Sequence, residues 1–273
     1  MRKKIGTLEF TQADSGCFLF CNTPSLQYSM AQRFIHAFDK RNFASLIWLG
    51  LLLTVSALAQ DRGEHIVVTG GVSLAEWEKY KVEPHDHWWL NFVRASRLRI
   101  EQLRQQYGPT ARITWLVYAP AYQRRQKQEN ESLFSVIESV RDKYGLKLIY
   151  FYTADQMCDY LNRGQDRSRY KIASFDYFGH SNKACFMFDY SNQIGSASKA
   201  WLHQSDLSQK LRQGIFVKDA EVKAWGCYTA ESMSKYWYQA TGTRMIGAIG
   251  KTQYMMNELP VLSSATGKWS YGL

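Results

Sequence analysis

Residues 171–181 are Lys-Ile-Ala-Ser-Phe-Asp-Tyr-Phe-Gly-His-Ser, an apolar run that ends abruptly in Gly-His-Ser. Its first eight residues are mostly apolar or aromatic and are bounded by Gly179, which suits a buried strand and is short for a core helix. The run Ala220-Glu-Val-Lys-Ala-Trp225, closed by Gly226-Cys227, reads the same way. Working outward, 64–71, 112–118, 146–152 and 243–249 are further strand-like runs, and 184–190 is a short strand or hairpin. Between them, apolar residues recur at helical spacing. Trp88, Phe92, Ala95, Leu98, Ile100 and Leu103 predict a helix over 88–107, stopped by Gly108-Pro109. Other helices are predicted over 133–144, 154–161, 207–215 (capped by Ser205 or Asp206) and about 230–240. Strands separated by such helices imply an α/β fold, a three-layer sandwich with a mainly parallel six-stranded sheet and helices on both faces.

The chain has 273 residues, 45% hydrophobic and 21% charged, which excludes a disordered or low-complexity protein. The apolar run 43–59 follows Lys40 and Arg41 and ends in Ala57-Leu58-Ala59, the pattern of a secretory signal peptide cleaved after Ala59. At about 17 residues it sits at the short limit for spanning a bilayer, so a retained anchor is the rival reading. Met30 stands at a conventional distance from this run, so the residues before it are expected to be a non-native upstream extension. The expected product is an exported chain of 60–273, periplasmic or secreted, folded as one domain and monomeric, with no membrane attachment after cleavage. The net charge is +10, and loss of 1–59 removes six basic and three acidic residues, leaving +7. Arg94, Arg97, Arg99 and Arg104 are spread along one predicted helix, and no nucleic-acid signature is present, so no nucleic-acid partner is expected.

In open α/β sheets, reactive groups gather beyond the carboxyl ends of the strands. One such end delivers Gly179-His180-Ser181 and another delivers Gly226-Cys227-Tyr228. If these strands are neighbours, a thiol and an imidazole face one crevice. The thiolate is the attacking species, a free thiol is mostly protonated at neutral pH, and a nearby imidazole takes or stabilises the proton. Gly226 leaves room for a substrate carbonyl, and the amides after each turn suit a developing oxyanion. Such a dyad places the Cys227 sulfur within several ångströms of a His180 ring nitrogen.

Phe175-Asp-Tyr-Phe-Gly-His180 and Val222-Lys-Ala-Trp-Gly-Cys227 stand 47 residues apart, His to Cys. In order, spacing and strand context the pair resembles the caspase–gingipain–legumain clan of cysteine peptidases. The resemblance covers about 64–255 and implies a caspase-like fold. It implies an exported cysteine endopeptidase acting on peptide or protein substrates through a thioester acyl-enzyme. Cys227 would attack, His180 would serve as acid and base, and the backbone amides of Ser181 and Cys227 would form the oxyanion hole, supported by Gly179, Gly226 and Asp176. Ser181 stands where the clan usually has Gly, and the narrower caspase string Gln-Ala-Cys-x-Gly is absent, so the likeness is to the wider clan. The rival functions are a non-catalytic binding or scaffold protein on the same fold and a Cys-dependent acyl transferase on cell-wall peptides. No cofactor is expected; Ca²⁺, which some relatives use, is left open.

Asp176 and Asp189 are read as surface or turn carboxylates, or else as groups that orient His180 or favour a basic substrate residue. Of the five cysteines, Cys17 and Cys21 fall in the expected upstream extension. The mature chain keeps Cys158, Cys185 and Cys227, an odd set, so a Cys158–Cys185 disulfide would leave Cys227 free, and three reduced thiols are equally allowed. His85-Asp86-His87 lacks a third ligand nearby, and no metal site is expected. Gly70-Gly71 is read as a turn, Asn130-Glu-Ser132 as a sequon only in a glycosylating host, and Trp225, Tyr236 and Trp237 as core or pocket wall.

Overall fold

The computed structural model describes residues 63–73, 90–190 and 200–272. The 43–59 run, Met30, Ala59, Trp88 and His85-Asp86-His87 lie outside the described residues. In chain order the elements are β1 (Glu64–Thr69), α1 (Asn91–Tyr107), β2 (Arg112–Tyr118), α2 (Ala119–Glu129), α3 (Leu133–Tyr144), β3 (Lys147–Phe151), α4 (Ala154–Arg163) and β4 (Ile172–Phe178). They continue as β5 (His180–Ser181), β6 (Cys185–Asp189), β7 (Ala200–His203), α5 (Leu207–Lys210), β8 (Phe216–Ala224), α6 (Met233–Thr241), β9 (Gly247–Ile249), β10 (Thr252–Gln253), β11 (Val261–Leu262) and β12 (Lys268–Ser270).

The central sheet has the order β3-β2-β1-β4-β8, and every pairing in it is parallel. β1 lies in the middle and all six of its residues are buried, as a strand covered on both faces must be. Alternation along β1 sends Ile66 and Val68 to one core and Val67 to the other. On the Val67 side, Phe92, Ala95 and Ile100 of α1 and Leu133 and Ile137 of α3 pack on Trp115. On the Ile66 side, Met157 and Leu161 of α4 and Met233 and Trp237 of α6 pack on Phe175, Tyr177 and Val222. Helices therefore cover both faces, and the described residues all belong to one compact unit. None of the described helices is long and apolar enough to cross a membrane.

Three elements depart from the sequence reading. The sheet has five strands, not six, because the 243–249 run touches it at a single bridge, Ile246 to Lys223. There the Ala224 N–H donates to the Ile246 carbonyl (2.8 Å) and the Ile246 N–H to that of Val222 (2.9 Å). Beyond it, the chain is drawn against the turn that follows Cys227: the Ala248 N–H donates to Thr229 Oγ1 (3.3 Å), and β9 pairs antiparallel with β12. The helix expected over 207–215 stops at Lys210. Leu211 turns extended, and Gly214 has a left-handed φ of 77°. Leu211 and Ile215 are still buried, so an extended strap satisfies the apolar pattern that suggested a helix. Finally, α2 was not expected at all, since its sequence is almost wholly polar after Tyr122.

Candidate active site

β4 and β8 are hydrogen-bonded neighbours, with Tyr177 opposite Ala224, so their carboxyl ends open side by side. One further bond, from the Trp225 N–H to the Tyr177 carbonyl (2.8 Å), carries the pairing to the brink of the two turns. The Ser181 hydroxyl then donates to the Cys227 carbonyl at 2.8 Å. This crossing has no room for a side chain at 226. A Cβ there would lie 2.1 Å from Ser181 Oγ and 2.8 Å from the Gly179 carbonyl oxygen. Gly179 is equally confined, since a Cβ on it would lie 2.6 Å from the Tyr177 hydroxyl. The structure thus brings Gly179, His180, Ser181, Gly226 and Cys227 to one edge of the sheet. Gly70 and Gly71 support them from below. Their N–H groups donate to the carbonyls of Phe178 in β4 (2.7 Å) and Phe188 in β6 (2.8 Å), so Gly70 extends the pairing of β1 with β4, Gly71 reaches the small sheet, and the pair is not the turn expected.

Cys227 is half-buried, and its sulfur lies against Thr252. The Thr252 N–H points at Sγ (3.4 Å), with Thr252 Oγ1 at 3.6 Å and the Thr252 carbonyl oxygen at 3.8 Å. A backbone N–H aimed at sulfur is a donor that a thiolate can use. The next residue, Tyr228, holds a left-handed backbone (φ 60°, ψ 9°), a conformation that costs a non-glycine residue of order 1–3 kcal/mol. It is kept there by the bond from its N–H to the Gly250 carbonyl (2.8 Å).

His180 is also half-buried and opens the small antiparallel sheet β5-β6-β7. Its ring meets Phe92 edge-on (centroids 4.9 Å apart) and tilts against Tyr190 (5.0 Å). Its carbonyl accepts from the Tyr177 hydroxyl (2.8 Å). The Asn182 N–H donates to the Cys185 carbonyl (3.1 Å). By the alternation of an antiparallel ladder, Ser181–Phe186 is then the non-hydrogen-bonded pair, and the Ser181 amide points away from β6. The residue before His180 is held from another direction, as the Gly179 N–H donates to the Tyr254 hydroxyl (2.9 Å).

The two carboxylates considered beside His180 have partners of their own. Asp176 Oδ2 accepts from Arg99 Nε (2.9 Å) and its Oδ1 from the Trp225 indole (2.8 Å), so both oxygens serve the core between β4, β8 and α1 and not the imidazole. It is 2% exposed, and burial raises its carboxyl above the usual range against the pull of Arg99. Asp189 is also buried, not at the surface; it pairs with both terminal nitrogens of Arg124 and accepts from the Tyr118 hydroxyl. The three described cysteines are unpaired thiols, so Cys158 and Cys185 are not joined. Burial pushes the Cys158 thiol up to about 12 and raises that of Cys185. Trp225 and Trp237 are core, whereas Tyr236 is exposed. No group of three or more His, Cys, Asp or Glu able to hold a metal occurs among the described residues.

Phe92, Tyr190, Thr252 and Tyr254 complete the surroundings of the pair, and sequence reading missed all four as site residues. They come from separate segments with no common spacing, so only the folded chain assembles them. No family model matches the chain, and neither does any curated protein or solved structure.

Proposed function

We propose that the protein is a cysteine endopeptidase with a caspase-like fold, using Cys227 as nucleophile and His180 as acid and base on a peptide or protein substrate. The observation that carries this reading is the tie between two turns at the carboxyl ends of adjacent parallel strands, Ser181 Oγ to the Cys227 carbonyl at 2.8 Å. Those turns present a half-buried imidazole and a half-buried thiol at one edge. The Cys227 sulfur attacks the peptide carbonyl carbon while its proton passes to His180. A C–S bond forms, the C–N bond breaks, and the imidazolium returns the proton to the leaving amine. Water then cleaves the thioester, releasing a carboxylic acid and restoring the thiol. The backbone amides of Ser181 and Cys227 are the donors for the oxyanion. Ser181, which stands where the clan usually has Gly, has a structural task here, because its hydroxyl binds the two turns together.

The test is iodoacetamide labelling of wild-type protein and a His180→Ala variant near pH 6.5, with the labelled cysteines mapped. Cys227 is expected to react ahead of Cys158 and Cys185 in the wild type and to lose that lead in the variant. A Cys227 that reacts no faster than the other two, or reacts identically without His180, would refute the dyad.

A further inference from the structure

We infer that Tyr254 is a positioning residue for the His180–Cys227 pair, holding the loop before His180 through the Gly179 amide. The inference rests on the dyad reading above. Gly179 needs an outside restraint: it has no side chain to pack, and the Tyr177 hydroxyl leaves no space for one. The restraint present is the Tyr254 hydroxyl, which accepts the Gly179 N–H at 2.9 Å. A second route runs through rings. Tyr254 packs edge-on against Phe92 (4.7 Å), and Phe92 packs edge-on against the His180 ring (4.9 Å). A third begins two residues earlier, where the Thr252 N–H points at the Cys227 sulfur (3.4 Å). The stretch 252–254 therefore grips both halves of the dyad, one by an amide and the other by a phenol. The phenol is buried, which pushes its ionisation well above that of free tyrosine against the opposing pull of the Gly179 N–H. It keeps its proton through the neutral range and stays a neutral acceptor for the Gly179 amide.

Tyr254→Phe removes the hydroxyl and keeps the ring against Phe92. The experiment compares full-chain wild type, Tyr254→Phe and His180→Ala by the iodoacetamide rate at Cys227, measured near pH 6 and near pH 9. Loss of one positioning hydrogen bond is expected to lower the ratio of the two rates by about two- to tenfold, part of the way to the His180→Ala value. A purely structural tyrosine would lower the melting temperature and leave that ratio alone. A wild-type ratio in Tyr254→Phe beside a reduced one in His180→Ala overturns the inference and leaves the dyad standing. An unaltered ratio in His180→Ala overturns the dyad and the inference with it. Should Tyr254→Phe fail to fold, 3-fluorotyrosine at 254 retains the packing with a weaker acceptor oxygen. An unchanged ratio in that protein also overturns the inference.

Discussion

At the amino end of the central sheet, Glu64 is fully buried and both of its carboxylate oxygens are matched. Oε1 accepts from Thr114 Oγ1 and from the Tyr160 hydroxyl, each at 2.6 Å, and Oε2 accepts from Arg167. Arg167 then donates to the carbonyls of Leu161 (2.8 Å), Tyr160 (3.0 Å) and Tyr170 (3.0 Å), which ties α4 and the loop after it to β1. At the carboxyl end, the His180 and Cys227 side chains are left half-buried, and the turns that carry them are held by Gly226 pressed on Gly179, Tyr228 bonded to Gly250, the Ser181 hydroxyl on the Cys227 carbonyl and the Tyr254 hydroxyl on the Gly179 amide. One end spends its polar side chains on holding the fold. The other leaves an imidazole and a thiol accessible on a rigid frame, which is what preorganised chemistry requires.

The strongest way to break that contrast is Arg167→Met. It strands the Glu64 carboxylate in the core, and removing one partner of a buried ion pair costs about 3–5 kcal/mol. Chemical denaturation should report a loss of that order, while Cys227 in the still-folded variant should alkylate at the wild-type rate. Adding Glu64→Gln to Arg167→Met should recover part of the loss, since no buried charge then remains uncompensated. A loss well under 1 kcal/mol, or slowed alkylation in the folded protein, would mean that the two ends do not divide the work in this way.

Gly226→Ala is the complementary probe at the other end. The new methyl would lie 2.1 Å from Ser181 Oγ, which can rotate away only by giving up the Cys227 carbonyl, and 2.8 Å from a main-chain oxygen, which cannot. Overpacking of this kind costs about 1–3 kcal/mol. The expected pattern is the reverse of the first variant: a moderate loss on denaturation and a large loss of Cys227 reactivity. Wild-type alkylation kinetics in this variant would show that the crossing of the two turns is not what sets the thiol.

The contrast also explains what was legible beforehand. Short runs such as 64–69, 112–118 and 172–178 are apolar because both faces of the sheet are covered, and a strand buried in that way announces itself. That Gly179-His180 and Gly226-Cys227 end strands was readable because a glycine closing an apolar run is a local signal, and the two strands prove to be neighbours. The polar helix α2 was invisible since Ala119, Ala121, Tyr122 and Arg125 are its only buried residues. Leu211 and Ile215 misled because burial at helical spacing does not require a helix. Asp176 lies four residues before His180, yet strand alternation points it at Arg99 of α1. Thr252 and Tyr254 were hidden for a different cause: what matters in them is a main-chain N–H and an acceptor oxygen, and neither leaves a mark on composition or periodicity.

A finer test lies between the two ends. Lys223 projects from β8 with its ammonium over Trp225 (3.6 Å to the ring centroid) and Trp269 (3.9 Å), four residues before Cys227. Burial lowers its ionisation to about 8, Arg99 adds to the lowering, and Asp176 opposes it. The folded state therefore releases this proton more easily than the unfolded chain, whose lysine titrates near 10.4. Below about pH 8 both states carry the charge and the folded one bears the full desolvation penalty. As pH rises from about 8 to about 10.4 the folded state deprotonates first, so the penalty fades and this group's contribution to stability increases. Lys223→Met, which removes the charge and keeps the bulk over the two indoles, should raise the melting temperature near pH 7 and lose most of that advantage by about pH 10. Because the ammonium retains access to water, the gain is small, about 1–3 °C. A difference between variant and wild type that stays constant across this range would mean that the two tryptophan faces offset the desolvation completely. Lys223 would then belong with Glu64 among the fully compensated charges.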